Sequence, residues 1–265
     1  MTWGMELTPV IDVARDFGHR LLHQHWSPSN RLTDRTAMRA AATALDESIH
    51  APLRAALSAL RPGARWVEEP DERTPLDEGE WWAVDDVEGA VNLLHGRPEW
   101  CISIALLRAG SPILAVVYEP VADRLFTAVA GVGAHLHTPA TALLEISPKV
   151  DFSDAIIETS QVGDEPEELQ SRIGNAIGKL MSRALLVRTT IPTTFPLLAV
   201  ATGRSDVFWQ FAPATTGVAA ATLIATEAGA RASDLTGSPW RPGAPSLLVT
   251  PPALHEPAVK AMADL

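Results

Sequence analysis

The stretch WWAVDDVEGAVNLLHGRPEWCISIALLRAG, residues 81–110, begins with a short apolar run that ends in acidic side chains. Aromatic and β-branched residues in such a run are typical of a strand. Asp85 and Glu88 follow the run, and Gly89 supplies a turn. Carboxylates crowded at the end of a strand repel one another unless they bind a cation or are otherwise paired. The pattern therefore indicates a metal site or a solvated acidic turn, and the segment alone leaves both open.

Two helical patterns precede this stretch. The first is predicted to start at Thr8-Pro9, because threonine is a good N-cap and proline suits the first helical position. The second has a leucine or isoleucine every three to four residues and ends before Pro62-Gly63. Pro52 lies within the second pattern and predicts a bend or a break there.

The remainder of the chain changes in character near its middle. Short β-type runs come first and predict a sheet built largely from hairpins; they are Arg65–Val67, Trp81–Val84, Cys101–Leu107, Ile113–Tyr118 and Leu125–Val129. Helices and strands then alternate, which indicates a second α/β layer. The predicted helices are Glu167–Met181, Thr194–Thr202, Thr216–Glu227 and a closing helix from Pro252, and the strands are Ala184–Arg188, Asp206–Phe211 and Leu247–Thr250. No long linker separates the hairpin-rich part from the alternating part. We therefore predict one domain over 1–265, with subregions 1–138 and 139–265.

Composition limits the classes of function. The 265 residues are 46% hydrophobic, and 21 Lys and Arg against 32 Asp and Glu give a net charge of −11. Such acidity, without a basic stripe, argues against a nucleic-acid partner. No segment has the uninterrupted apolar length of a membrane span, so we expect no membrane partner and a cytoplasmic location. Cys101 is the only cysteine, which excludes an intrachain disulfide and suits a reducing compartment.

Several short motifs occur in a fixed order along the chain. TALD at 43–46 and WVEE at 66–69 precede DDVEGA at 85–90, and VATGRSD at 200–206 precedes a glycine-containing segment at 220–237. This series resembles the T-x-x-D, G-E-E, D-P-I-D-G-T, V-A-x-G-x-x-D and W-D motifs of the inositol monophosphatase-like phosphatases. The resemblance extends over nearly the whole chain. It implies an α/β (α+β) fold, a layered αβαβα sandwich of the inositol monophosphatase/fructose-1,6-bisphosphatase type.

The resemblance also implies a site for two Mg²⁺ ions, which would bridge the phosphate and a water nucleophile. The positions matching the ligands of the first ion are Glu68, Asp85, the carbonyl of Val87, and Ala90. Those matching the ligands of the second ion are Asp85, Glu88 and Gly217. Asp46 matches the aspartate that orients the water. The positions matching the substrate pocket are Gly89, Ala90, Thr193, Gln210 and Gly217.

This chain departs from the family pattern at the metal positions. Ala90 has no hydroxyl, and Gly217 has no side chain, so each removes an oxygen ligand. Glu88 keeps a carboxylate but extends it by one methylene. We therefore expect ordinary two-metal hydrolysis to be impaired and any Mg²⁺ to bind weakly.

Three functions remain open. The first is an enzyme for a small phosphorylated or polyhydroxylated metabolite that relies on acid–base chemistry; its candidate catalytic residues are Asp46, Glu68, Asp85 and Glu88. The second is a working Mg²⁺-dependent phosphatase for a sugar, cyclitol or nucleotide monoester with a reduced metal site. The third is a non-catalytic binding module. The resemblance also implies a homodimer.

Overall fold

The computed structural model describes residues 4–68, 72–161, 163, 166–212 and 214–263. The helices are α1 (Gly4–Gln24), α2 (Arg35–Leu60), α3 (Ala90–Leu94), α4 (Glu167–Met181), α5 (Thr194–Ala201), α6 (Ala219–Glu227) and α7 (Pro252–Ala263). The strands of the first half are β1 (Arg65–Trp66), β2 (Glu80–Glu88), β3 (Cys101–Arg108), β4 (Ser111–Glu119), β5 (Arg124–Val129), β6 (Gly133–His137) and β7 (Thr141–Leu143). Those of the second half are β8 (Ile156–Thr159), β9 (Leu186–Thr189), β10 (Val207–Gln210), β11 (Arg231–Ser233) and β12 (Leu247–Thr250).

The first sheet contains β1 to β7 in chain order. Strands β2 to β7 pair antiparallel with their neighbours, and only the short β1 pairs parallel to β2. Successive side chains of a strand point to opposite faces, so Trp82 and Ile104 face α1 and α2, whereas Ala83 and Ala105 face the centre of the molecule. Both faces are apolar because both are covered by other elements.

The second sheet has the order β11-β12-β10-β8-β9. Strands β9, β8 and β10 are parallel, and β12 is antiparallel to both of its neighbours. One face, which includes Phe208 and Val249, shares a core with α5, α6 and the first sheet. The opposite face, which includes Val207 and Trp209, packs against α4 and α7.

These contacts give the order α1/α2, first sheet, α5/α6, second sheet, α4/α7. The layered αβαβα sandwich expected from the sequence is therefore confirmed. Strand β7 belongs to the first sheet although it follows residue 138. The single domain over 1–265 and its division at 138/139 stay a prediction.

Three local predictions were wrong. Helix α1 begins at Gly4 rather than behind an N-cap at Thr8, so Pro9 lies inside the helix. The proline costs one backbone hydrogen bond, and the burial of Val10, Phe17 and Leu21 farther along the helix offsets that loss. Helix α2 is one helix through Pro52, so the predicted break is wrong, and the alternative of a bend stays a prediction.

The third correction concerns the acidic residues themselves. Asp85 and Glu88 do not leave the strand, because β2 continues through both of them to Gly89. The pairing of β2 with β3 shifts register between Asp85 and Glu88, which marks a β-bulge or a similar irregularity.

Candidate functional site

The irregular end of β2 positions the acidic side chains. The backbone N–H of Val87 donates to Oδ1 of Asp85 at 3.1 Å, which closes the turn within the strand. Val87 is buried, and its neighbours Asp85 and Asp86 are half-buried. Three carboxylates lie within four residues here. A bulge re-aims side chains that would alternate between the two faces of a regular strand.

Glu88 is the most deeply buried of these carboxylates, with 6% of the residue exposed. Its Oε1 accepts a hydrogen bond from the backbone N–H of Thr194 at 3.2 Å, at the first turn of α5. A Cβ atom added at Gly217 would lie 3.6 Å from its Oε2. Thr194 also donates through Oγ1 to the carbonyl of Gly217 at 3.4 Å. Glu88 therefore joins the end of β2, the start of α5 and the loop before α6.

The environment of Glu88 favours its protonated form. Burial, followed by the negative charge of Asp85 and a hydrogen bond with that residue, raises the pKa of Glu88 well above its ordinary value. The backbone N–H groups of Thr193 and Thr194 act in the opposite direction. Glu88 is therefore a buried carboxyl group that can carry a proton next to Asp85.

Gly89 is required by its conformation and by its neighbours. Its φ of 95° lies in the left-handed region that glycine tolerates. A Cβ there would also approach Cγ of Pro192 to 2.8 Å and the carbonyl of Glu99 to 3.0 Å. The chain then enters α3, and Asn92 in that helix donates through Nδ2 to the carbonyls of Glu99 and Ile191, at 2.7 and 3.2 Å. These contacts fix α3 against the segment that carries Thr193.

A second group of ligand atoms lies between α2 and β2. Asp46 and His50 are four residues apart and therefore share one face of α2. Each of these residues and Asp86 offers one ligand atom, and the three atoms lie within 4.8 Å of one another. His50 Nδ1 is 3.1 Å from Asp86 Oδ2. Burial, followed by the charge of Asp85, raises the pKa of Asp86, while the contact with His50 opposes that shift.

The other candidate residues are placed less closely. Glu68 forms an ion pair with Arg54 at 2.7 Å, and 53% of its side chain is exposed; Glu69 lies outside the described residues. Thr193 contacts Ser160 through the two hydroxyl oxygens at 2.9 Å. Gln210 is buried and donates to the carbonyl of Ala212 at 2.9 Å.

One residue of this region was missed by sequence reasoning. Glu72 lies in the acidic connection between β1 and β2. Its carboxylate accepts hydrogen bonds from the backbone N–H groups of Thr215 and Thr216, the latter at 3.1 Å, and from Oγ1 of Thr216 at 2.5 Å. The buried Oγ1 of Thr215 has no hydrogen-bond partner among the described residues. Only the separation of more than 140 residues concealed the contact, since nothing local distinguishes Glu72 from its acidic neighbours.

The positions considered for a divalent cation differ in the ligand atoms that they offer. Asp46, His50 and Asp86 already converge and fit a single cation, because carboxylate and imidazole groups are ligands for divalent metals. Ala90 and Gly217 offer no side-chain oxygen, and the carboxylate of Glu88 is bonded to Thr194.

The fold matches solved structures over its full length. The structure of an inositol monophosphatase from Anabaena (Nostoc) superposes with a TM-score of 0.79 and 22% sequence identity, covering 100% of this chain and 98% of that one. A likeness at this identity shows the fold alone, a mixed α/β arrangement. The sequence decides the family, since the Inositol monophosphatase family profile matches residues 7–265. The chain belongs to the inositol monophosphatase family.

Its relatives carry two kinds of name. An inositol-1-monophosphatase of Rhizobium meliloti is 34% identical over 173 residues, which are 64% of this chain and 62% of the relative. A Nus factor SuhB of Salmonella typhimurium is 28% identical over 232 residues, which are 87% of this chain and 85% of the relative. Among the described residues, none of the helices is both long and apolar enough to span a bilayer.

Proposed function

We propose that this protein is an enzyme that binds a small phosphorylated or polyhydroxylated metabolite beside Asp85, Glu88 and Gly217, and that acid–base chemistry replaces ordinary two-metal hydrolysis. Family membership supports a phosphatase-like pocket for a small phosphate compound. The position of Glu88 carries the second part of the proposal. Its carboxylate is buried, bonded to the N-terminal turn of α5 and lying beside a glycine that supplies no ligand.

The residues present do not fit the two-ion arrangement that the family resemblance implies. Its second ion would lose the ligand at Gly217, and its first would lose the hydroxyl at Ala90. Glu68, which matches a ligand of the first ion, is engaged with Arg54. We therefore assign the chemistry to the chain's own groups. Asp85 and Glu88 exchange a proton with the substrate, and the loop that contains Thr193 orients the hydroxyl groups of the substrate.

Restoration of the family residues tests this proposal. The triple variant Glu88→Asp, Ala90→Thr and Gly217→Asp returns the missing oxygen atoms, whereas Gly217→Ala adds volume without an oxygen. Phosphate release from a panel of polyol, sugar and nucleotide monophosphates is measured with and without Mg²⁺. Since a single electrostatic contact is typically worth about a hundredfold or more in rate, we expect the triple variant to exceed the wild type by at least tenfold and Gly217→Ala to show no gain.

Two results would contradict the proposal. One is rapid Mg²⁺-dependent release by the wild type that the triple variant does not increase. The other is turnover of a substrate that survives unchanged in Asp85→Asn and Glu88→Gln. Circular dichroism of each variant confirms that a loss of rate is not a loss of folding.

A working phosphatase with a reduced metal site is the second candidate function. The convergence of Asp46, His50 and Asp86 favours it, because those groups would hold one divalent cation next to Asp85. Such a cation would supply Lewis-acid stabilisation of the phosphate. Phosphate release that rises with Mg²⁺ or Mn²⁺ in the wild type and is lost in His50→Ala would support this function over the first.

The partners also remain proposals. A homodimer is supported by the edge strand β9 and the residues next to it, since Leu185, Leu186 and Ile191 are exposed by 65%, 47% and 46%. Exposed apolar residues on an unpaired edge favour pairing with another chain. Light scattering of the wild type and of Leu185→Asp/Leu186→Asp tests it, with a monomer expected for the variant. The proposed location is the cytoplasm.

A non-catalytic binding role is the third candidate, and the relatives named Nus factor SuhB favour it. We expect no nucleic-acid binding because of the net charge of −11. Fluorescence anisotropy with single-stranded and structured RNA tests that expectation, and saturable binding at physiological salt would contradict it.

A further inference from the structure

A cavity with a volume of about 220 Å³ is lined by residues of both sheets and of α5. It is bounded by the junction of β4 and β5, by β8 and β9, and by one side of α5. It shares no lining residue with the group formed by Asp85, Glu88 and Gly217. Drug-sized ligands occupy pockets of about 300–1,000 Å³, so this cavity suits a molecule of only a few carbon atoms.

The two carboxylates of the cavity already have partners. Glu119, 2% exposed, accepts from Arg124 Nε at 2.7 Å. Glu158, 1% exposed, accepts from Thr190 Oγ1 at 2.6 Å and from the hydroxyl of Ser205. Both carboxylates therefore have hydrogen-bond donors, and of the two only Glu119 has an ion pair among the described residues.

Two further arginines, Arg188 and Arg204, line the same cavity and have exposed side chains. Burial raises the pKa of Glu119, and the charges of Arg124 and Arg204 oppose that shift. Arg188 lies opposite Glu158 in the pairing of β8 with β9, and Arg204 follows the end of α5. Within the part of the chain that the structure describes, neither guanidinium group forms a hydrogen bond or an ion pair. Three arginines against two glutamates leave the lining with a net positive charge, in a protein whose net charge is −11.

The walls between the charged groups are apolar. Phe126, Phe195 and Leu198 line the cavity beside the arginines. A guanidinium group recognises carboxylate and phosphate oxygens through paired hydrogen bonds, and apolar walls suit a short carbon skeleton.

We propose that this cavity binds a small dianionic metabolite, with its anionic group held between Arg188 and Arg204 and its carbon skeleton against Phe126 and Phe195. Phosphate monoesters and dicarboxylates share this chemistry. The site is separate from the candidate active site and does not depend on the function proposed for it.

The test measures binding by isothermal titration calorimetry in buffer that contains EDTA, so that no metal-bound anion contributes. The probes are inorganic phosphate, glycerol 3-phosphate and succinate, with NaCl at matched ionic strength as the control for general charge. The variants are Arg188→Gln, Arg204→Gln and the double variant. Arg172→Gln is the matched control, because Arg172 packs over the ring of Phe211 and is not part of the cavity.

We expect saturable binding of at least one probe, and an affinity lower by at least about tenfold, or 1.4 kcal/mol, in the double variant. Arg172→Gln should bind as the wild type does, and Arg188→Lys should retain part of the affinity. Stronger binding of glycerol 3-phosphate than of succinate would identify a phosphate monoester, and the reverse order a dicarboxylate. Affinity that is unchanged in the double variant, or no saturable binding of any probe to the wild type, would overturn the proposal.

Discussion

Glu88 and Gly217 are neighbours: a Cβ at position 217 would lie 3.6 Å from Oε2 of Glu88, in van der Waals contact with its carboxylate. The longer side chain at 88 and the absent side chain at 217 are therefore complementary. The residues are joined through Thr194, whose N–H donates to Glu88 and whose hydroxyl donates to the carbonyl of Gly217.

This complementarity predicts that Gly217→Asp destabilises the protein. The new carboxylate would lie beside the buried Glu88 without a cation to pair with, and burying an unpaired charge is costly. We expect the free energy of unfolding to fall by about 2 kcal/mol or more, as for other buried unpaired charges. Urea denaturation measures it. Gly217→Ala should be nearly neutral, and Glu88→Asp combined with Gly217→Asp should recover part of the loss; equal losses in the single and double variants would contradict the proposed relationship.

Glu72 is predicted to hold the loop of Thr215 and Thr216. Glu72→Ala leaves their backbone N–H groups without their acceptor, and each unsatisfied buried donor costs about 1–3 kcal/mol. We expect lower stability in urea and faster proteolysis of this loop. Glu72→Gln, which keeps an acceptor oxygen, should lose less, and Glu78→Ala, at an exposed glutamate of the same segment, should behave as the wild type. Equal effects of the changes at 72 and 78 would exclude an anchoring role.

The group formed by Asp46, His50 and Asp86 is predicted to bind a divalent ion. Carboxylates suit Mn²⁺, and an imidazole ligand favours a first-row transition metal over Mg²⁺. We expect Mn²⁺ to raise the melting temperature of the wild type, and His50→Ala and Asp86→Asn to reduce that rise. His23→Ala, at an exposed histidine of α1, is the control. A rise of the same size in all four proteins would show that the ion binds elsewhere.

His255 predicts a loss of stability in mild acid. It is buried, and its Nε2 lies 2.9 Å from Oγ of Ser233. Burial, followed by the charge of Arg231, lowers the pKa of His255 from its ordinary value of 6.5. The His255 side chain therefore binds a proton at a higher pH in the unfolded chain than in the folded chain. The contribution of neutral His255 to the stability of the fold is complete above about pH 6.5 and declines as the pH falls below that value.

The measurement is the difference in unfolding free energy between the wild type and His255→Gln at pH 7.5 and 5.5. We expect the variant to lose less stability on acidification than the wild type. The comparison isolates His255, because all other titratable groups are the same in the two proteins. These include buried carboxylates such as Glu119, whose raised pKa acts on stability in the opposite direction. A parallel decline in both proteins would be inconsistent with this role.

Cys101 is predicted to be inert in the native state. It is fully buried in β3, and burial, followed by the charge of Glu88, raises the pKa of its thiol well above the ordinary value. Since the thiolate is the reactive form, a thiol reagent such as Ellman's reagent at pH 8 should modify the protein only after urea is added. Stoichiometric reaction of the folded protein would refute this prediction.

Much of the fold was predictable because its elements have strong local patterns. The predicted helix Glu167–Met181 and strand Leu247–Thr250 match α4 and β12 at both ends. Strands β6, β7, β8 and β11 were missed. They are three to five residues long, and their pairing with neighbouring strands, rather than any local pattern, makes them strands.

The sequence by itself determined the absence of oxygen ligands at Ala90 and Gly217, because side-chain chemistry is a local property, and the order of its motifs implied the family and, through that resemblance, the order of layers. Only the tertiary structure decided which group each carboxylate contacts. Glu88 contacts Thr194, Glu72 contacts Thr216, Glu68 contacts Arg54 and Asp86 contacts His50. These contacts join segments 14 to 144 residues apart in the chain. Burial and proximity after packing, which no local pattern encodes, set the partners and the pKa of each carboxyl group.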